Sequence, residues 1–245
     1  MSATVTEPET AGQPRIPAPD HHRDVNGGWL RPAVFGAMDG LVSNLALMTG
    51  VVGGDVGRGA VILTGLAGLA AGACSMAAGE YTSVASQREL VEAEIEAERL
   101  ELSRNPHGEL AELAQLYVDK GVEPELAYQV AKQLSADPER TLAVHAREEL
   151  GVDPEDLPSP VVAAASSFAC FAVGALLPLL PYLVGASALW PALLVSAAGL
   201  FLCGAVVARV TARSWWFSGL RQLVLGGAAA GVTFLLGHLI GGTLS

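Results

Sequence analysis

Five stretches of the chain stay apolar for 20 or more residues, at 32–52, 60–81, 161–184, 189–210 and 220–240. A helix on the surface of a soluble protein keeps a polar stripe toward water, whereas a helix apolar all round is fully buried or lies in lipid. About 20 residues rising 1.5 Å each cross a 30 Å hydrocarbon core. The pattern predicts an all-α fold, a bundle of five transmembrane helices. Between spans two and three it reverses, and 86–158 is a mostly polar insert with its own helical punctuation. No breaker interrupts the second run before Asn105-Pro106, so one helix is expected over 60–104. Its length would be about 67 Å, leaving more than about 30 Å projecting from the membrane. Three shorter helices should follow. Gly121 ends the first, Pro124 opens the second at its first helical position, and Asp137 and Pro138 cap and open the third, which Gly151 ends. The expected organisation is a tail at 1–30, spans one and two at 31–85, the insert at 86–158 and spans three to five at 159–245.

Charge sharpens this division. Only 16% of residues are charged and 51% are hydrophobic, against about a quarter charged in an ordinary soluble domain. The insert segment 87–157 holds 18 of the 25 acidic residues and 7 of the 14 basic ones, so the net charge of −11 resides there and the remainder is balanced. That argues against nucleic acid and for cations as partners. Cys74, Cys170 and Cys203 all lie in apolar stretches, giving neither a disulfide framework nor a Cys-x-x-Cys site. The first 28 residues are rich in Pro, Thr, Glu and Gly without an apolar core, the composition of a disordered tail rather than a cleavable signal. Arg31, the basic residues of the insert, and Arg209, Arg213 and Arg221 all fall on one side of a five-span topology. By the positive-inside rule that side is cytoplasmic. The N-terminus and insert are therefore expected inside and the C-terminus outside, with the cell membrane as the expected location.

Two carboxylates fall within the apolar runs, Asp39 in span one and Glu80 at the insert end of span two. A charge in hydrocarbon costs several kcal/mol and marks a functional position by default. Asp39 is too short to reach the interface, and no basic residue in another span can pair with it. Glu80 can reach water. Met76 precedes Glu80 by one turn on the same helical face, a thioether and carboxylate combination that suits a softer divalent metal such as Fe²⁺ better than Mg²⁺ or Ca²⁺; as plain core filler it would need no ligand. Ser43 and Asn44, one turn beyond Asp39, offer neutral oxygens or simple hydrogen bonds between helices. Glycines four apart, Gly36 and Gly40, Gly68 and Gly72, Gly227 and Gly231, are expected to pack helices closely. Pro178 and Pro181 free carbonyls within span three.

In the insert, Glu98 with Glu101 and Glu109 with Glu112 are i, i+3 pairs, and His145 with Glu149 is an i, i+4 pair beside Glu148. Like charges so spaced repel mildly, and a bound cation would relieve them; a solvated acidic face is the plainer reading of any one pair. Oxygen-rich ligation with one histidine suits Fe²⁺ or Mn²⁺ better than structural zinc. No Glu-x-x-His, the motif of ferritin-like di-iron centres, occurs in the chain, which argues against an oxidase.

The run Met38-Asp39-Gly40-Leu41-Val42, the run Ser75-Met76-Ala77-Ala78-Gly79-Glu80-Tyr81 followed by Ser86-Gln87-Arg88-Glu89, and an acidic insert closing with Glu149-Leu150-Gly151 resemble the vacuolar iron transporter family over about 31–242. The resemblance implies a homodimer of five-span subunits that moves Fe²⁺, often also Mn²⁺, out of the cytoplasm in exchange for protons. It implies that Asp39 and Met76 line the metal path and that Glu98, Glu101, Glu109, Glu112 and Glu149 collect metal. Where some members carry methionines shortly before the last glutamate, this chain has His145 and Ala146, so His145 is a substitute ligand by hypothesis. The expected function is a proton-coupled exporter of Fe²⁺ or Mn²⁺, not an enzyme, with no resident cofactor. A membrane-anchored metal buffer or sensor is the alternative; an unpaired carboxylate in hydrocarbon speaks against a mere anchor.

Overall fold

In a computed structural model, residues 28–210 and 214–244 are described; the N-terminal tail, Arg213 and Ser245 lie outside them. Eight helices make up the described residues, with no strand: α1 (Leu30–Gly53), α2 (Arg58–Arg104), α3 (Pro106–Asp119), α4 (Pro124–Leu134), α5 (Pro138–Glu148), α6 (Pro160–Leu183), α7 (Trp190–Val210) and α8 (Trp215–Leu244). Five of them, α1, α2, α6, α7 and α8, are long and apolar enough to cross a membrane. These account for the five apolar runs. The last helix begins earlier than hydropathy alone suggests, because Trp215 and Trp216 pack edge-on against Phe201 of α7 and extend the helix toward the basic end.

The helix ends follow local chemistry. Ser159 accepts a hydrogen bond from Val162 N–H and is followed by Pro160, so α6 starts where its first N–H groups find a partner. Asn105 caps α3 through Gly108 N–H ahead of Pro106, and Asp137 caps α5 through Arg140 N–H ahead of Pro138. Gly121 and Gly151 take positive φ of 92° and 68° just beyond α3 and α5, the left-handed conformation that ends a helix at little cost for glycine. α2 runs unbroken for 47 residues, about 70 Å at 1.5 Å per residue.

α1 is the hub of the bundle, packed against α2, α6, α7 and α8. Its glycines set the closest approach. A Cβ on Gly36 would meet the Ser167 carbonyl oxygen at 2.7 Å, and one on Gly40 would collide with the Phe171 carbonyl, so α1 and α6 touch backbone to backbone. Gly36 opposes Ser167, Gly40 opposes Phe171 and Asn44 opposes Ala175, an ascending match that makes α1 and α6 parallel. Contacts of Thr49 with Ala230 and of Gly53 with Phe234 likewise make α8 parallel to α1. Asn44 against Gly68 and Met48 against Gly65 descend, so α2 is antiparallel. The starts of α1, α6 and α8 therefore share one end of the bundle with the projecting half of α2, and Arg31, Arg209 and Arg221 gather there. Gly72 receives the Phe171 ring, whereas nothing lies within 4 Å of a Cβ placed on Gly227 or Gly231 among the described residues. That pair instead lines a cavity with Leu45 and Thr49 of α1 and Leu193 of α7. The outer faces stay apolar, with Leu63, Val173, Leu194, Val224 and Leu235 exposed, as a lipid-facing surface requires.

Beyond the bundle, α3 and α5 lie against the charged half of α2, and α4 packs on α3 and α5. Leu113, Ala114 and Ala131 form a small core with Leu110, Leu116, Tyr117, Leu134 and Val144 around it.

Candidate metal-binding sites

Three helices of the insert converge on a buried group of ligand atoms. Glu98 comes from α2, Glu109 from α3 and His145 from α5, and one ligand atom of each lies within 4.8 Å of the others. Atoms held about 2.1 Å from a common ion sit roughly 3–4 Å apart, so a small closing motion brings the trio to bonding distance. His145 is 0% exposed, Glu98 8% and Glu109 7%, far below the usual exposure of charged side chains.

The imidazole organises the group. Nδ1 lies 2.8 Å from Glu149 Oε1 and 2.9 Å from Glu98 Oε1. A ring nitrogen carries a single proton. With that proton on Nδ1 directed at Glu149, Glu98 Oε1 is close to the ring yet makes no directed hydrogen bond, and buried Nε2 also lacks a partner. Burial first, and then the negative charge of Glu149, push the Glu98 carboxyl up to about 7; His145 pulls the other way, and Glu109 and Glu101 add to the rise. Glu109 is raised as well, by burial and then by Glu112. Packed carboxylates that resist ionising are a site short of positive charge.

The i, i+3 pairs thus divide. Glu98 and Glu109 turn inward, while Glu101 and Glu112 are exposed and act on the cluster through their field. Glu148 points elsewhere, forming an ion pair with Lys120 and accepting a 3.2 Å hydrogen bond from the Tyr117 hydroxyl. The i, i+4 pair of His145 and Glu149 closes as spaced.

A second constellation lies within the bundle. Asp39, Ser43, Asn44 and Leu47 of α1 face Gly68, Gly72, Ser75 and Met76 of α2, with Phe171 of α6, across a cleft of about 290 Å³. Asp39 is half-buried and Asn44 buried. The Ser43 hydroxyl donates to the Asp39 backbone carbonyl at 2.5 Å. Gly68, Gly72 and Met76 recur every fourth residue, so one face of α2 lines the cleft, and the two glycines let Asn44, Leu47 and the Phe171 ring approach it closely. Four of the five path residues picked out in the sequence line this cleft. Glu80 is half-buried one turn beyond Met76 toward the insert and does not line it. Ser75 and Phe171 went unnoticed in the sequence. Ser75 carries a signal, since it neighbours Met76; Phe171 carries none, because only the packing of α6 brings it there.

The family model described as VIT family matches residues 30–238. A vacuolar iron transporter of Acanthamoeba castellanii is 44% identical over 163 residues, covering 66% of this chain and 59% of that protein. The chain thus spans about three fifths of that relative. Vacuolar iron transporter 2 of Oryza sativa subsp. japonica is 30% identical over 85% of this chain and 86% of its own length. Vacuolar iron transporter 1 of Arabidopsis thaliana is 27% identical over 90% of this chain and 91% of its own.

Proposed function

The chain belongs to the VIT family, and from that premise we propose that it carries Fe²⁺, Mn²⁺ or both out of the cytoplasm in exchange for protons, with the insert collecting the ion. The observation that carries the reading is that one continuous helix, α2, presents Met76 to the cleft and Glu98 to the carboxylate cluster. The iron comes from the names of the relatives, and the donor set of carboxylate, imidazole and thioether suits Fe²⁺ and Mn²⁺ alike.

In this reading the insert is cytoplasmic, as the basic residues at its end of the bundle favour. Glu98, Glu109, His145 and Glu149 take the ion from solution, and Glu101 and Glu112 raise its local concentration. Glu80 stands between the insert and the cleft. Asp39, with Met76, holds the ion within the membrane, in a cleft that Ser43 and Asn44 also line. Metal ion and proton compete for the same carboxylate oxygens, so each ion that occupies Asp39 displaces a proton and each departure readmits one. That cycle is a minimal exchanger. Two such subunits form the homodimer that the family resemblance implies. The names of the relatives place those proteins at the vacuole, an internal membrane, whereas the sequence alone led to the cell membrane; the proposed direction, out of the cytoplasm, is common to both.

The test is metal flux into sealed proteoliposomes across an imposed pH gradient. Uptake of Fe²⁺ and Mn²⁺ should accelerate when the receiving compartment is acidic, and Asp39→Asn should abolish it. Equal flux in Asp39→Asn and wild type would leave a facilitated pore, and no flux in wild type while the insert binds metal would leave a buffer or sensor.

A further inference from the structure

Asn44 lies in the middle of α1, five residues past Asp39 and so about 7 Å further from the insert at 1.5 Å per residue. It is 2% exposed. Its amide nitrogen donates to the Ala175 carbonyl of α6 at 2.6 Å. That bond fixes the side chain and decides which way the other atom points. The amide oxygen, Oδ1, is buried and has no hydrogen-bond partner. It faces α2 at Gly68, where a Cβ would lie 2.7 Å from it, and both residues line the cleft.

A buried amide oxygen without a partner costs about 1–3 kcal/mol. Leucine, its neighbour at position 45, or alanine at position 46 would avoid that cost in an apolar bundle. The hydrogen bond to Ala175 occupies only the amide nitrogen and leaves Oδ1 without a partner. What remains unexplained is a neutral oxygen, held by a bond on its other side and turned toward Gly68 in the cleft that Asp39 and Met76 also line.

We infer that Asn44 Oδ1 is a metal ligand at the inner end of the cleft, a specificity-determining position that takes the divalent ion as it moves beyond Asp39. This deepens the transport reading and rests on it. A neutral amide oxygen suits the role. It replaces a water from the ion's shell, yet it adds no second negative charge in hydrocarbon and does not bind a proton, so it neither traps the ion nor competes in the exchange at Asp39. The thioether of Met76 and the amide of Asn44 then offer the ion one soft and one hard neutral donor.

Flux of Fe²⁺ and Mn²⁺ in proteoliposomes tests this with Asn44→Leu, Asn44→Asp and Asp39→Asn side by side. Asn44→Leu removes the oxygen and the bond to Ala175. Asn44→Asp keeps an oxygen toward the cleft and loses the donor to Ala175. A ligand role predicts at least a tenfold rise in KM for Asn44→Leu, whereas Asn44→Asp, which keeps an oxygen but adds a charge, holds KM within about threefold of wild type, turns over more slowly and changes the Fe²⁺ to Mn²⁺ preference. A role limited to pinning α1 on α6 predicts the opposite order, with Asn44→Asp at least as impaired as Asn44→Leu, and that order overturns the inference. So does wild-type KM in Asn44→Leu. If Asn44→Leu does not insert, Asn44→Ser, which withdraws the oxygen without adding bulk, carries the same expectation. Loss of flux in Asp39→Asn together with wild-type behaviour in the Asn44 variants defeats this inference alone; intact flux in Asp39→Asn defeats the transport path itself.

Discussion

Among the spans, α2 faces a cleft that contains one carboxylate, Asp39, with a thioether and neutral oxygens around it. About 33 Å further along the same helix, at 1.5 Å per residue, Glu98 meets Glu109, His145 and Glu149 under the field of Glu101 and Glu112. The difference follows from the surrounding medium. Each charge placed in hydrocarbon costs several kcal/mol, so the cleft carries one and completes the donor set with neutral groups. The insert has water at its margin and can crowd carboxylates, at the cost of raised proton affinity. One site is thereby suited to passing an ion on and the other to gathering ions from dilute solution.

The sharpest way to separate the two sites is to disable one and read both. Asp39→Asn should lower flux by at least a hundredfold while metal binding to the full-length protein in detergent, measured by calorimetry, keeps the insert's affinity. Loss of both would show that the two sites act as one. The reverse experiment has a smaller effect. Glu98→Gln with Glu109→Gln should weaken metal binding by about ten- to a hundredfold, since ligand-sphere losses are typically of that size, yet leave flux near wild type at saturating metal. A matching collapse of flux at saturation would make the insert part of the path.

His145→Ala should destabilise the metal-free protein by about 1–3 kcal/mol, because it empties a fully buried position and removes the hydrogen-bond partner of Glu149. Thermal melting in detergent reads this, and the loss should grow when Fe²⁺ or Mn²⁺ is present, because the variant lacks a ligand and gains less stability from the ion. The pH dependence carries a definite sign. Glu98 has an ordinary value of 4.5 and is raised to about 7 in the fold, so between these values the folded protein holds a proton that the unfolded chain has released. Its contribution to stability therefore falls as pH rises through that window, and metal binding there expels the proton. Calorimetry in buffers of different ionisation enthalpy should show proton release at about pH 6 that is reduced in Glu98→Gln. The smallest effect is expected at Glu148, whose ion pair with Lys120 is half-exposed on the lysine side. Lys120→Ala should cost under about 1 kcal/mol and leave metal affinity unchanged, in contrast to the inward-facing glutamates.

The cleft and the cluster also differ in how far a reader of the sequence could see them. Asp39, Asn44 and Met76 stand out because polar atoms are rare in apolar runs, so each position in the bundle announced itself. In the insert nearly every turn carries a carboxylate, and spacing along a helix groups Glu98 with Glu101 as readily as with any other residue. Spacing is blind to partners on other helices.

The sequence by itself determined the five apolar helices, the uninterrupted length of α2 and the ends of α3, α4 and α5, because these depend on hydropathy, proline and glycine within a few residues. The same locality gave the pairing of His145 with Glu149, one turn apart. Only the tertiary structure decided that Glu98, Glu109 and His145 meet while Glu101 and Glu112 face water and Glu148 turns to Lys120, because the packing of α3 and α5 on α2 fixes which face of each helix is inward. It likewise decided that Gly68 and Gly72 receive Asn44, Leu47 and the Phe171 ring while Gly227 and Gly231 line a cavity facing α1 and α7, since a glycine leaves space but cannot determine what lies opposite.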